Sequence, residues 1–179
     1  MVCQVVVISG TPGTGKSTLA EMLAKEQGCS RLILSRHYKD ISKGYNKTKQ
    51  CYDIDLQKFT LLVKEKKNIE GKNKDKKNKI PTRDKNKILI IDSHIAHLLP
   101  KKLVDLCIIL TCSDLKKLQK RLRQRKYSKQ KIRENLDAEI FQVCLNEAKE
   151  IGHKVIVFDT AKAGKREILN NVKKSMLHL

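Results

Sequence analysis

The chain has 179 residues, enough for one hydrophobic core of ordinary domain size. Hydrophobic residues make up 40% of it and aromatic residues only 4%, so we expect a core of Ile, Leu and Val rather than an aromatic sandwich. The formal net charge of +20 favours long-range association with polyanions such as nucleotides, RNA or anionic membranes. A basic surface that only keeps the protein solvated would give the same charge.

The cysteines and the apolar runs bear on the compartment. The six cysteines include no CxxC pair, which is typical of reduced thiols rather than a disulfide framework or a zinc site. The apolar run at residues 5–8 is too short for a signal sequence, and no later run is long enough to span a bilayer. We therefore expect a cytoplasmic protein with no membrane partner, present in the nucleus as well if its source is eukaryotic.

Short aliphatic runs alternate with helical patterns along the chain. Each run predicts a buried strand. The five runs are residues 2–9, 31–35, 88–92, 104–111 and 154–159. Strands that alternate with helices predict an α/β fold of three layers, in which a five-stranded parallel sheet has helices on both faces. In such a fold the active groups lie at the carboxyl ends of the strands.

Apolar residues at helical spacing predict the helices. They recur at 19–23, 115–122, 132–148 and 168–176. The third set has regular four-residue steps, which predict one continuous helix of about six turns with Ser128 as its N-cap. The set consists of Ile132, Leu136, Ile140, Cys144 and Ala148.

Residues 64–87 interrupt this pattern because they are rich in lysine and asparagine and poor in apolar side chains. Such a segment buries too little surface to offset the entropy lost on ordering, which predicts a mobile, solvated loop. An arm that contacts RNA is an alternative interpretation, although runs of charge usually mark solvated surface.

The clearest motif is GTPGTGKS at residues 10–17, which matches GxxxxGK(S/T) in full and lies between a predicted strand and a predicted helix. In this motif the backbone N–H groups converge on phosphates, Lys16 contacts the terminal phosphates, and the Ser17 hydroxyl ligates Mg²⁺. It predicts a P-loop NTPase fold that binds ATP. The predicted nucleotide ligands are Gly13, Thr14, Gly15, Lys16, Ser17 and Thr18.

The strand at residues 88–92 ends in an acid, as the metal site of a P-loop protein requires. We expect Asp92 to orient Mg²⁺ together with Ser17. His94, two residues on, is predicted to share its side of the strand and to orient or deprotonate an attacking water or hydroxyl. A structural, hydrogen-bonded role is the alternative for His94. For His97 a surface or packing role is favoured.

Three arginines lie between two predicted helices and are candidates to stabilise the charge on a transferred phosphoryl group. Arg121 and Arg125 are four residues apart and therefore share a helical face. Arg125 is the predicted catalytic and nucleotide-binding member. Ordinary solvated helix charges are the alternative, and they are favoured for Arg123.

Three segments together resemble the adenylate kinase isoenzyme 6 family. They are GTPGTGKST at 10–18, IIDSHIAH at 90–97 and RLRQRKYSKQKIRENLDAEIFQVCLNEAKE at 121–150. The resemblance implies a single kinase domain, residues 1–179, that transfers the γ-phosphate of ATP to a nucleoside monophosphate (NMP), usually AMP, and also hydrolyses ATP. It further implies a role in maturation of the small ribosomal subunit, with a small-subunit ribosomal protein and rRNA as partners.

The resemblance also implies roles for particular residues. Asp92 and His94 match the second nucleotide motif, whose histidine is tied to hydrolysis, and Arg125 matches the arginine of a short lid, here residues 121–135. Lys162, in the loop after the last strand, is expected near the adenine. The NMP-binding region corresponds to residues 36–63.

Two positions depart from the family pattern. Residues 46–50 are basic where acids are expected, and Lys126 stands where a glycine usually follows the lid arginine. Arg36 and Lys39 are the nearest candidates to hold an acceptor phosphate.

Other functions fit part of the sequence. An ATPase that assembles ribosomes, with little NMP kinase activity, is favoured by the net charge and by the basic segment 64–87. A GTPase is less favoured because no NKxD motif follows a predicted strand. Small-molecule kinases of the shikimate type share the architecture.

Overall fold

A computed structural model describes residues 3–48, 51–72 and 87–177. The strands in these ranges are β1 (Gln4–Ser9), β2 (Ser30–Ile33), β3 (Ser42–Asn46), β4 (Cys51–Ile54), β5 (Ile88–Asp92), β6 (Leu106–Thr111) and β7 (Val155–Asp159). The helices are α1 (Lys16–Gln27), α2 (Tyr38–Ile41), α3 (Leu56–Lys72), α4 (Leu115–Gln124), α5 (Lys129–Ile140), α6 (Val143–Glu150) and α7 (Lys165–Met176).

The main sheet has five parallel strands in the order β2-β5-β1-β6-β7. This confirms the predicted three-layer α/β fold. The five aliphatic runs form its strands, with ends shifted by a few residues because the outer positions of the runs belong to turns. The first strand, β1, lies in the middle, so the segment that follows it is at the centre of the carboxyl edge of the sheet.

Side chains of the central strands alternate between two cores, as the period of a strand requires. One face packs Val6, Ile8 and Ile108 against α1 and α7. The other packs Val5 and Val7 against α3, α6 and the turns that follow β5. Because strands buried on both faces read as continuous apolar runs, this arrangement explains why alternation was not visible in the sequence.

Between β2 and α3 the chain forms α2 and an antiparallel hairpin of β3 and β4. This hairpin was not predicted, because its strands are four or five residues long and mostly exposed or half-buried. It lies within the region 36–63 that the resemblance links to the acceptor nucleotide.

Two expectations need correction. The helix predicted from Ser128 begins there as expected, since the Ser128 side chain accepts a hydrogen bond from the Lys131 N–H. It is not continuous, however, because Gln142 has a left-handed backbone (φ 50°) that ends α5 and starts α6. Ile140, expected in the buried stripe, is therefore exposed.

The second correction concerns the basic segment. Residues 64–72 are the end of α3, which packs Phe59 and Val63 on the sheet, and do not begin a loop. Helix propensity of Lys and Glu, together with the anchored first turns, outweighs their poor burial. Residues 73–86, where the rest of the predicted loop falls, lie outside the described residues.

The approach of two backbones at Gly10 fixes the geometry at the end of β1. Gly10 has φ 131°, and a Cβ at this position would lie 2.1 Å from the carbonyl oxygen of Leu110. A side chain is thus excluded both by backbone conformation and by space.

We predict that Gly10→Ala lowers the free energy of unfolding by about 3 kcal/mol or more, because β1 and β6 must separate to admit the methyl group. This would lower the midpoint of thermal unfolding by about 6–12 °C. Gly164→Ala is the control, because Gly164 has φ −72° and open space around its Cα. A Gly10→Ala midpoint equal to that of the control would contradict the prediction.

Candidate functional site

Residues 10–15 form a loop between β1 and α1 at the centre of the sheet edge. The loop is held from within, because the Thr14 hydroxyl donates to the Thr11 carbonyl (2.9 Å). Helix α1 begins at Lys16, with Gly15 as an N-cap that offers no side-chain acceptor. The N–H groups and the positive end of the helix dipole therefore face the loop, an arrangement suited to an anion.

The Lys16 ammonium group lies inside this loop. Its Nζ donates to the carbonyl oxygens of Gly10 (2.7 Å) and Thr11 (2.9 Å). Desolvation lowers the pKa of Lys16 to about 8, and the charge of Arg125 acts in the same direction. A bound phosphate would supply the missing negative charge and would keep Lys16 protonated.

Two cavities adjoin the loop. The larger, of about 460 Å³, lies between the loop, α4 and the start of α7. Its lining includes Gly13, Thr14, Gly15, Thr18, Lys117, Arg121, Gln124, Arg125, Thr160, Gly164 and Lys165. Most of the predicted nucleotide ligands thus belong to one cavity, whose size lies within the usual range for a small-molecule site.

The smaller cavity, of about 210 Å³, lies on the opposite side of the loop, between β2, β5 and α1. Its lining includes Lys16, Ser17, Ser35, Tyr38, Asp92, Ser93 and His94. Three residues, Gly13, Gly15 and Arg125, line both cavities. The two cavities therefore meet at the loop, and Arg125 extends over their junction.

Asp92 and Ser17, which the sequence predicts to hold Mg²⁺ together, both line the smaller cavity. Asp92 is buried and accepts two hydrogen bonds from Arg31, one from Nε (2.8 Å) and one from Nη2 (3.1 Å). Sequence reading missed Arg31, and its only signal was a charge inside a predicted strand. The ion pair fixes the plane of the Asp92 carboxylate, because a guanidinium group matches both oxygens at once.

His94 is at the mouth of the smaller cavity, on the same wall as Asp92. Desolvation by the cleft, followed by the positive charge of Lys16, lowers the pKa of His94. The side chain is also in contact with solvent. The ring is thus neutral at pH 7 and able to accept a proton.

Arg121 and Arg125 come together as the helical spacing predicted. Arg121 Nη1 donates to the Gly13 carbonyl (3.1 Å), and Arg125 ends α4 above both cavities. Arg123 is exposed and lines neither cavity. Lys126 has φ 57°, a conformation that glycine adopts without strain, so a glycine would suit this position.

Three predicted residues do not reach a cavity wall. Lys162 is exposed in the loop after β7, where Thr160, Ala163, Gly164 and Lys165 form the wall instead. Arg36 and Lys39 are exposed near α2, where Ser35 and Tyr38 line the smaller cavity. In such short segments, turn geometry decides which side chain points inward, so sequence neighbours of the predicted residues form the walls.

His97, expected at the surface or in packing, is buried beneath the loop in a chain of hydrogen bonds. Its Nδ1 is 2.7 Å from the Ser9 hydroxyl, and its Nε2 is 2.7 Å from the Glu147 carboxylate. Since a carboxylate only accepts, Nε2–H donates to Glu147, and the neutral ring accepts from Ser9 at Nδ1. His97 thereby connects the end of β1 to α6.

We predict a pH-dependent contribution of His97 to stability. Burial, more than any neighbouring charge, lowers the pKa of His97; His153 and Lys16 add to the shift, and Glu147 opposes it. Because the unfolded chain then binds more protons, this contribution is complete above about pH 6.5 and is lost as the pH falls below that value.

The test is urea unfolding of His97→Leu and the unsubstituted protein between pH 7.5 and pH 5. At pH 7.5 the variant should be about 1–3 kcal/mol less stable, because the buried Ser9 hydroxyl loses its acceptor. The difference should shrink toward pH 5. His37→Gln, a half-buried histidine outside this chain of hydrogen bonds, is the control. A His97→Leu difference that grows toward pH 5 would reverse the assigned sign.

The phosphate-binding loop, the parallel sheet and the two cavities together define a P-loop NTPase. The comparisons with known proteins agree with this assignment. Residues 6–142 match the family model described as an AAA domain. A Schizosaccharomyces pombe adenylate kinase isoenzyme 6 homolog is 34% identical over 93% of this chain and 86% of its own length. The Dictyostelium discoideum homolog is 31% identical, with 93% and 86% covered. The chain therefore belongs to the adenylate kinase isoenzyme 6 family.

Solved structures support the fold alone, because their sequence identities are low. The YorR protein of Bacillus subtilis, in complex with phosphorylated GDP, aligns with a TM-score of 0.59 at 16% identity, covering 97% of this chain and 95% of that one. Shikimate kinase of Acinetobacter baumannii, in complex with shikimate, gives 0.60 at 13% identity, covering 98% and 94%.

The lengths and hydropathies of the helices bear on membrane insertion. In residues 3–48, 51–72 and 87–177, none of the helices combines the length and apolar character needed to cross a bilayer.

Proposed function

We propose that the protein transfers the γ-phosphate of ATP to a nucleoside monophosphate, AMP in the first instance. The observation that carries this proposal is the pair of cavities that meet at the phosphate-binding loop and share Arg125. An enzyme with one nucleotide would need only the larger cavity. A second cavity lined by Lys16, Asp92 and His94 suits an acceptor that also bears phosphate. The names of the relatives support the same activity.

On the donor side, ATP occupies the larger cavity. Gly13, Thr14, Gly15 and Thr18 present backbone N–H groups and a hydroxyl to the phosphates, and Lys16 leaves the Gly10 and Thr11 carbonyls to contact the terminal ones. Arg121 and Arg125 approach from α4. The adenine base then lies at the end of the larger cavity formed by the loop after β7. Lys165 lines that cavity, and Lys162 lies outside its wall, near the rim.

The residues present fit a magnesium ion. Ser17 and Asp92 line one cavity with hard oxygen atoms, and the Arg31 ion pair leaves further lone pairs on both carboxylate oxygens. Such a donor set suits Mg²⁺ held mainly through water. When bound, the ion neutralises charge on the β- and γ-phosphates.

During transfer, an oxygen of the acceptor phosphate attacks the γ-phosphorus and the bond to the ADP oxygen breaks. The chain's own contribution is charge and position, since the cations Lys16 and Arg125 both line the acceptor cavity beside the loop and hold the donor and acceptor phosphates together. Arg36 and Lys39 are exposed beside the acceptor cavity and act as outer attractors of its phosphate. No general base is needed, because a phosphate oxygen is already ionised.

Hydrolysis of ATP differs in this respect, because a water must lose a proton as it attacks the γ-phosphorus. The neutral His94 ring, on the cavity wall beside Asp92, accepts that proton. The same cavity thus supports transfer when an acceptor fills it and hydrolysis when water does.

The test is quantification of ATP, ADP and AMP by chromatography, with Mg²⁺, with and without AMP. We predict that two ADP form for each ATP consumed when AMP is present, and that Lys16→Ala lowers this rate by about 100-fold or more. Lys25→Ala, at the other end of α1, is the matched control and should retain the rate.

His94→Ala separates the two reactions. Hydrolysis without AMP should fall at least about tenfold, whereas AMP-dependent transfer should change by less than about threefold. Phosphate release that ignores AMP in the unsubstituted protein would reject the kinase and leave an ATPase. Equal losses of transfer and hydrolysis in His94→Ala would reject its role as proton acceptor.

A second role is favoured by charge. We propose that the protein contributes to maturation of the small ribosomal subunit, contacting rRNA and a small-subunit ribosomal protein. The net charge is +20, and α4, α5 and the turn between them expose a row of basic side chains. Its members are Lys116, Lys117, Lys120, Arg123, Lys126, Lys129 and Arg133. The protein partner is supported by the resemblance alone.

We predict salt-dependent RNA binding through this row. Affinity for a single-stranded RNA should fall with a slope of about −0.7 per phosphate contact in a plot of log K against log salt. Lys116→Glu with Lys120→Glu should reduce the slope and weaken binding uniformly across sequences. Lys25→Glu is the control for charge alone. Affinity that does not change with salt would reject the RNA contact.

A further inference from the structure

Three of the four tyrosines form a continuous cluster that begins at the smaller cavity. The ring centroids of Tyr38 and Tyr52 are 5.4 Å apart with an interplanar angle of 45°. Those of Tyr52 and Tyr45 are 5.1 Å apart in an edge-to-face arrangement. Tyr38 lines the cavity beside Asp92 and His94, and the other two extend away from it along the β3–β4 hairpin.

The exposure of the rings increases outward. Tyr38 and Tyr52 are half-buried, whereas Tyr45 is 54% exposed. Tyr45 and Tyr52 are directly opposite in the hairpin register, so their side chains lie on the same face. The exposed Tyr45 ring gains little from packing, which leaves it accessible to a ligand.

The volume of the cavity indicates what this ligand is. At about 210 Å³ it is smaller than the 300 Å³ or more of typical small-molecule sites. Its polar and cationic lining suits a phosphate and the ribose next to it. The base of an acceptor nucleotide must therefore lie outside the cavity, and the tyrosine cluster is the surface continuous with its wall.

We propose that the base of the acceptor nucleotide stacks on the hairpin tyrosines. Tyr45 and Tyr52 form the stacking platform, and Tyr38 lies between the base and the phosphate. This inference rests on the proposed kinase function and names how its acceptor is bound. Stacking uses the π-face that every base has. We therefore expect the platform to bind a nucleotide more tightly than the same sugar phosphate without a base, and purine nucleotides more tightly than those of the smaller pyrimidines.

The exposed lysines of the hairpin region agree with an anionic ligand. Lys39, Lys43 and Lys47 are all exposed around the cluster. They attract the nucleotide without fixing its position, because a solvated ammonium group on a flexible side chain does not impose one binding geometry. Position is supplied by the rings, which have few rotatable bonds.

The experiment compares the affinity of the full chain for AMP and for ribose 5-phosphate, which lacks the base, by isothermal titration calorimetry. The ratio of the two dissociation constants measures the contribution of the base. In the unsubstituted protein we expect AMP to bind at least about tenfold more tightly. In Tyr45→Leu and Tyr52→Leu, which keep apolar bulk but lose the ring, the ratio should fall toward one.

Two controls accompany these variants. Tyr45→Phe keeps the ring and should retain the ratio, and Phe141→Leu removes an exposed aromatic side chain that lines neither cavity. Binding of ribose 5-phosphate reports on folding of the site, because a variant that binds it as the unsubstituted protein does has an intact cavity.

The outcomes are distinct. If AMP supports ADP formation but the ratio does not change in both leucine variants, the cluster only packs the hairpin and the inference is wrong. If the ratio falls equally in Phe141→Leu, the effect is not specific to the platform and the inference is also wrong. If neither AMP nor ribose 5-phosphate binds and no AMP-dependent ADP forms, the proposed function itself fails.

Discussion

The parallel pairing of β1 with β5, in which Ile8 lies opposite Asp92, is the constraint on which the site depends. Both strands end at the same level, so the loop that follows β1 and the carboxylate that ends β5 become neighbours. The Arg31 ion pair from β2 then fixes the carboxylate, and the contact of Gly10 with Leu110 fixes the loop on the other side. Three strand ends thus hold one phosphate-sized space.

The sequence predicted those parts of the fold and the site that depend on residues close together in the chain. The loop at residues 10–17 and the acid at Asp92 could be assigned because motif and strand are adjacent in the chain. Arg31 and Tyr38 could not, because their partners are far away in sequence and their own segments carry no motif. The break at Gln142 was hidden, since a backbone with positive φ at a residue other than glycine leaves no trace in an apolar pattern.

Arg125 and His97 show how the helices take part in the site from opposite sides. Arg125 ends α4 and lies over the junction of the cavities, so its position changes whenever the α4–α5 pair moves. His97 lies below the loop and joins β1 to α6 through Ser9 and Glu147. The loop between them is therefore held from beneath by hydrogen bonds and approached from above by a cation.

The distribution of aromatic residues has a spectroscopic consequence. The chain has no tryptophan and four tyrosines, and three of the four form the cluster that begins with Tyr38 at the wall of the smaller cavity. The fourth, Tyr127, lies in the connection between α4 and α5, with the Lys131 ammonium 4.7 Å from its ring centroid. The ultraviolet emission of the whole protein therefore originates almost entirely from the tyrosine cluster and the α4–α5 junction, which gives an intrinsic optical signal for events at the two cavities without any attached label.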